Sequence, residues 1–324
     1  MEKKDKNSGI IDPINQLSLF GYDDHFNTFI NLHKKSLLPN VILLNGQKGI
    51  GKSTFVFHFV NYLFSQTEEY KYSLEKFKID EKNVSYKLLS NGSHPNFFFL
   101  SNKIAGAEIK IAEVRNLLSF LSKSSYSKNI KIVLIDNAEN LNQNSSNALL
   151  KALEEPKNNT FFFINYNFTT SIPDTIKSRC LEFKFFFNRK EKKKIFMNII
   201  KDYSLDFDLE ELDKNFLFDT PGNILKYSLI IKDSNINISN DKLSLISHLF
   251  NLYSLKKDPE LLQLASTSIE NFYSDLSFSN KNNLNTYFTN KYKILNSLSN
   301  MHKFNLDKKN TLNSVYDILE NEKK

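Results

Sequence analysis

Cysteine occurs once, at Cys180, and tryptophan not at all, in a chain of 324 residues. A single thiol excludes an intramolecular disulfide and any cysteine-built zinc module, and it accords with a reducing compartment. No stretch of about 18 apolar residues is present, and the opening "MEKKDKNSGIIDP" lacks the apolar centre of an export signal. A soluble, cytoplasmic protein is therefore expected. Glycine (8) and proline (7) are scarce, whereas lysine, asparagine, isoleucine and phenylalanine are abundant. That bias matches A/T-rich codons and weakens Phe and Asn as functional hints.

Charge of one sign is also limited: 43 basic against 36 acidic residues leave a net charge of +7. This permits contact with a phosphate backbone without demanding it, because no long basic stripe appears. The block Arg189-Lys190-Glu191-Lys192-Lys193-Lys194 opens a helical pattern and is read as a solvated face.

What is present is alternation. Short apolar runs at 41–45, 96–100, 130–136 and 160–167, with a fifth after Cys180, are separated by helical patterns at 24–34, 53–64, 111–124 and 145–153. Buried runs divided by helices predict an α/β fold with a parallel sheet covered on both faces. Beyond about residue 188 only helical periodicity remains, broken by "DTPGN" (219–223) and by the polar stretch 232–242. A length of 324 residues calls for two or three domains. The expected division is a nucleotide domain over 1–187, carrying a polar insertion at 65–95, then helical domains over 188–235 and 236–324.

After the first apolar run comes Gly46-Gln47-Lys48-Gly49-Ile50-Gly51-Lys52-Ser53-Thr54, which satisfies the phosphate-loop pattern in strand–loop–helix context. Its glycines allow backbone N–H groups to converge on phosphate oxygens, aided by the helix N-terminus. Gly46, Gly49, Gly51, Lys52, Ser53 and Thr54 are the candidate ATP-binding residues, with Lys52 on the outer phosphates. Ser53 and Asp136, the acid ending "VLID", are the candidates to hold magnesium on the nucleotide. Hydrolysis also needs a group that orients or deprotonates water. The residue after the acid is Asn137, which is no base, and Glu139 is expected to point elsewhere on ordinary backbone geometry. Holding ATP is expected; turning it over is not.

The block "NSSNALLKALEEPKNNTFFFINYNFTTSIPDTIKSRC" (144–180), at its spacing from the Gly46 loop and "LIDNAENL", resembles clamp-loader subunits of the AAA+ family. Four further stretches, "LFGYDDHFNTF", "HPNFFFL", "IKIAEVRNLLSFL" and "FNLDKKNTLNSV", resemble its delta-prime-like branch. The resemblance covers 13–230 strongly and the remainder weakly. It implies an AAA+ nucleotide domain, a small helical lid and a C-terminal all-helical collar that joins subunits into a ring. It implies that Arg179 is an arginine finger acting on a neighbour's ATP, with Ser178 and a packed Cys180 beside it. Asn167 falls at the polar sensor-1 position, Asn223 at a sensor-2 position that carries arginine in active relatives, and Phe20-Gly21-Tyr22 at the adenine.

The partners implied are the other clamp-loader subunits (tau/gamma and delta), the sliding clamp indirectly, and primed DNA without sequence reading, for which Lys110 and Arg115 are candidates. Many relatives carry four zinc-binding cysteines; segment 65–95 has none. The favoured reading is a ring scaffold that binds ATP with magnesium, hydrolyses it poorly and supplies Arg179. The alternative is an active motor subunit of the tau/gamma kind. A stand-alone helicase or kinase is disfavoured by the "SRC" block and the helical tail. Asp307 is expected to cap a helix after Phe304-Asn305-Leu306.

Overall fold

The computed structural model describes residues 12–101, 108–123, 130–167, 171–205, 219–234, 242–279, 283–303 and 306–322. Five strands, β1 Val41–Asn45, β2 Phe97–Leu100, β3 Lys131–Ile135, β4 Thr160–Tyr166 and β5 Leu181–Lys184, form one sheet in the order β2-β3-β4-β1-β5. Every pairing is parallel, with Leu43 opposite Ile164 and Val133 opposite Phe162. The apolar runs thus become strands almost residue for residue. Continuous burial along β1, β3 and β4 is the reason, since both faces need side chains that tolerate full desolvation.

Alternation along each strand sends side chains to two cores. Ile42, Leu44, Ile132, Leu134 and Phe163 meet the helices Asp23–Lys34 and Lys52–Phe64 on one face. Val41, Leu43, Val133, Ile135, Phe162 and Ile164 meet Ile111–Ser122 and Gln143–Glu154 on the other. Phe163 is fully buried, with the rings of Phe29 and Phe59 beside it at 6.4 and 5.8 Å between centroids. Phe163→Ala should therefore cost about 3–5 kcal/mol in a urea titration, because a void that size collapses only in part; a loss under about 1 kcal/mol would mean that the sheet does not depend on this face.

The polar segment 65–95 folds against the Lys52–Phe64 helix through buried polar pegs. Asn61 donates to Asn83 (3.0 Å), and Asn83 donates to the Tyr70 carbonyl (2.7 Å) and caps the helix Val84–Ser90. His58 is fully buried, its Nε2 2.9 Å from the Gln16 carbonyl and its Nδ1 3.0 Å from the Tyr72 hydroxyl. A carbonyl only accepts, so Nε2 carries the proton and Nδ1 accepts from Tyr72. Burial, opposed by the Gln16 carbonyl, lowers the His58 pKa from 6.5 to about 3. The unfolded chain takes up the proton first, so this contribution is complete above pH 6.5 and is lost as pH falls toward 3. Between pH 6 and 4 the wild type should lose stability faster than His58→Gln by about 1.4 kcal/mol per pH unit, measured as denaturant midpoints.

The chain divides into two compact units: Met1–Asp206 with Leu217–Lys226, and Phe207–Phe216 with Tyr227–Lys324. In the second, Lys242–Lys256 packs on Pro259–Ser279, that helix on Leu284–Lys303, and Lys308–Asn321 returns against the first. Its apolar positions recur at helical spacing, as in Ile294, Leu298 and Met301 or Leu312, Val315 and Leu319. Asp307 caps the last helix, accepting from Asn310 N–H at 2.7 Å, as expected; Phe304 and Asn305 lie outside the described residues. Among those residues no helix is long and apolar enough to cross a membrane.

Candidate functional site: a phosphate loop at the carboxyl edge of the sheet

Three strand ends converge. β1 leads into the loop 46–51, β3 ends at Asp136, and β4 ends at Asn167. The loop turns back at Gly49 (φ +78°) and enters the helix through Gly51 (φ +100°), conformations that side-chain-bearing residues rarely adopt. A β-carbon on Gly49 would also stand 2.5 Å from Thr220 Oγ1. The turn Asp219-Thr220-Pro221-Gly222-Asn223 rests on the loop there: Thr220 Oγ1 donates to the Lys48 carbonyl (2.7 Å) and Gly222 N–H to the Gly49 carbonyl (2.9 Å). Pro221 begins a helix, where its missing N–H goes unneeded. Asn223 is brought to Gly49 by this seat and is held by Asp219 Oδ1 at 2.9 Å.

Lys52 is buried and donates to the Gly46 carbonyl (2.6 Å), the Gln47 carbonyl (3.0 Å) and Asn167 Oδ1 (2.7 Å). Burial lowers its pKa to about 8, against the pull of Asp136 and Glu139, so it is charged at neutral pH. Asn167 in turn donates through Nδ2 to Asn137 Oδ1 (2.7 Å) and Glu139 Oε1 (2.8 Å). Ser53 Oγ lies 3.2 Å from Asp136 Oδ1, and Asn165 Nδ2 reaches both, at 2.9 and 2.8 Å. Ser53 and Asp136 are hard oxygen donors side by side, so they fit magnesium carried on a nucleotide. Thr54 follows in the first helical turn, part-exposed.

Two expectations are corrected. Glu139 does not point away. Asn137 adopts the left-handed region (φ +54°), and the short turn Ala138–Asn140 brings the Glu139 carboxylate onto Asn167, whose backbone N–H it also accepts at 3.3 Å. Asn is among the few residues for which that conformation is inexpensive. Nor is the basic block wholly solvated. Asn188 caps its helix with Glu191, but Lys192 is buried and donates to Gln47 Oε1 of the loop at 3.3 Å. Tyr22 is also buried, its hydroxyl donating to the Ile50 carbonyl (2.7 Å), which leaves Phe20 and Gly21 as the part of that segment with surface. The sequence reading missed Asn165 and Lys192. An Asn inside the apolar run "FFFINY" is the available signal for the first; Lys192 gives none.

Arg179 belongs to a separate constellation. Its Nε donates to Glu154 Oε1 at 2.9 Å, its Nη2 to the same oxygen, and its Nη1 to the Thr175 carbonyl (2.6 Å) and Ser178 Oγ (3.3 Å). The side chain remains 29% exposed. Cys180 packs in the second core with its thiol donating to the Ile176 carbonyl (3.1 Å), and burial pushes its pKa up to about 12, which disfavours the thiolate a nucleophile needs. Lys110 and Arg115 are exposed at the start of the Ile111–Ser122 helix.

The parallel sheet, with a phosphate loop after β1 and an acid after β3, defines an AAA+ domain of the P-loop class. The chain belongs to the clamp-loader family described as "DNA polymerase III, delta subunit", whose profile matches residues 22–188. It is 34% identical over 140 residues to a DNA polymerase III subunit delta′ of Pseudomonas aeruginosa, covering 43% of this chain and 41% of that one. It is 28% identical over 206 residues to a DNA polymerase III subunit gamma of Buchnera aphidicola subsp. Schizaphis graminum, covering 61% and 54%. The matches thus span about half the length of these curated relatives, or somewhat less. A crystal structure of a DNA polymerase III gamma subunit-related protein from Thermotoga maritima superposes with a TM-score of 0.49 at 17% identity, covering 92% of this chain and 99% of that one.

Proposed function

We propose that this chain is a delta-prime-like subunit of the clamp loader of a replicative DNA polymerase. It scaffolds the ring that loads the sliding clamp on primed DNA, and it presents Arg179 to the ATP of a neighbouring subunit. In this reading 188–235 act as the lid and 236–324 as the collar, the tau/gamma and delta subunits are its partners, and it works in the cytoplasm. It binds ATP with magnesium through Gly46, Gly49, Gly51, Lys52, Ser53, Thr54 and Asp136, and turns it over poorly.

One observation carries the last point. The residue after the acid, Asn137, spends its carboxamide on Asn167 and has no lone pair basic enough to take a proton from water. A specific observation favours the motor reading instead: Glu139 is a carboxylate within this same network. Both its oxygens are engaged by Asn167, which favours a positioning role over a base. The test measures ATP bound per chain, and phosphate released, by the purified protein with magnesium and primed DNA. Near-stoichiometric binding with release at background is expected. Steady release that disappears in both Lys52→Ala and Glu139→Gln would make the chain a motor.

A further inference from the structure

The residues around Ser53 include one that no motif accounts for. Asn165 lies on β4 two positions before Asn167, so both side chains leave the same face of the strand. It is fully buried, and its nitrogen spans Ser53 Oγ (2.9 Å) and Asp136 Oδ1 (2.8 Å), using both of its N–H bonds. Its Oδ1 is buried with no hydrogen-bond partner among the described residues. An orphaned carbonyl is costly, so the side chain is retained here for its nitrogen. The reversed amide would set that oxygen against the Asp136 carboxylate, which fixes the orientation.

The hydroxyl and carboxylate that Asn165 joins are the same pair that suits a magnesium ion beside a nucleotide phosphate. The amide meets the need of both oxygens for a positive partner without a divalent charge. We propose that Asn165 competes with magnesium for Ser53 and Asp136, so that nucleotide binding by this chain gains little from the divalent ion. The inference rests on the loop being an ATP site.

The experiment is a titration of the full chain and of Asn165→Ala with a fluorescent ATP analogue, in excess magnesium and in excess EDTA, beside Lys52→Ala. Wild-type affinity should change less than about threefold between the two media, and Asn165→Ala about tenfold or more, the scale of one charge-assisted contact. Wild-type binding that weakens about tenfold in EDTA overturns the inference alone. Wild-type binding no stronger than that of Lys52→Ala in either medium overturns the ATP reading and the inference with it. An Asn165→Ala change no larger than the wild type's also overturns it, and where that variant fails to fold the wild-type comparison can still overturn the inference.

Discussion

Replacing Arg179 by alanine is expected to lower the ATPase rate of a reconstituted clamp loader by about 10³-fold or more while leaving this chain folded. A guanidinium offers rigid donors to the charge that develops on a phosphoryl group in flight, and no other side chain reproduces that fork. In the isolated chain the fork is occupied by Glu154, the Thr175 carbonyl and Ser178, which hold it at the surface in a fixed direction. The ion pair itself is part-exposed on both sides, so losing it should cost at most about 1 kcal/mol of stability. The measurement pairs steady-state hydrolysis by the complex with a melting curve of the subunit. An unchanged rate would remove the finger assignment; a collapsed melting curve would turn Arg179 into a fold residue.

Lys52→Ala should weaken ATP binding by the isolated chain about 100-fold or more, since one buried ammonium supplies several charge-assisted contacts. The same ammonium now satisfies two loop carbonyls and Asn167. Its removal therefore also orphans acceptors in a buried place and should cost about 1–3 kcal/mol of stability. Equilibrium binding and a urea titration on the same preparation separate the two effects. Retained affinity would mean that the loop is not where nucleotide sits.

The strands and the loop were legible because their signals are local. Val41–Asn45 matches its apolar run residue for residue, and Gly46 to Ser53 matches a pattern whose glycines are needed for backbone reasons. The residues that complete the site were not legible, because each depends on something non-local. Glu139 enters through the sign of one torsion at Asn137, and a sequence records only that asparagine tolerates that sign. Lys192 is buried by the fold of its surroundings, against the odds for a lysine in a run of lysines. Asn165 acquires meaning only once β3, β4 and the Lys52–Phe64 helix are side by side. The insertion 65–95 hid its structure because its anchors are His58, Asn61 and Asn83, which are polar. A hydrophobicity scan reads such a segment as loose.

The polar side chains of the loop hold one another in two sets: Lys52 to Asn167 and Asn167 to Asn137 and Glu139, and Asn165 to Ser53 and Asp136. A nucleotide bound at the loop would exchange partners with groups that already hold one another, so the stabilisation it added would be only the surplus of that exchange.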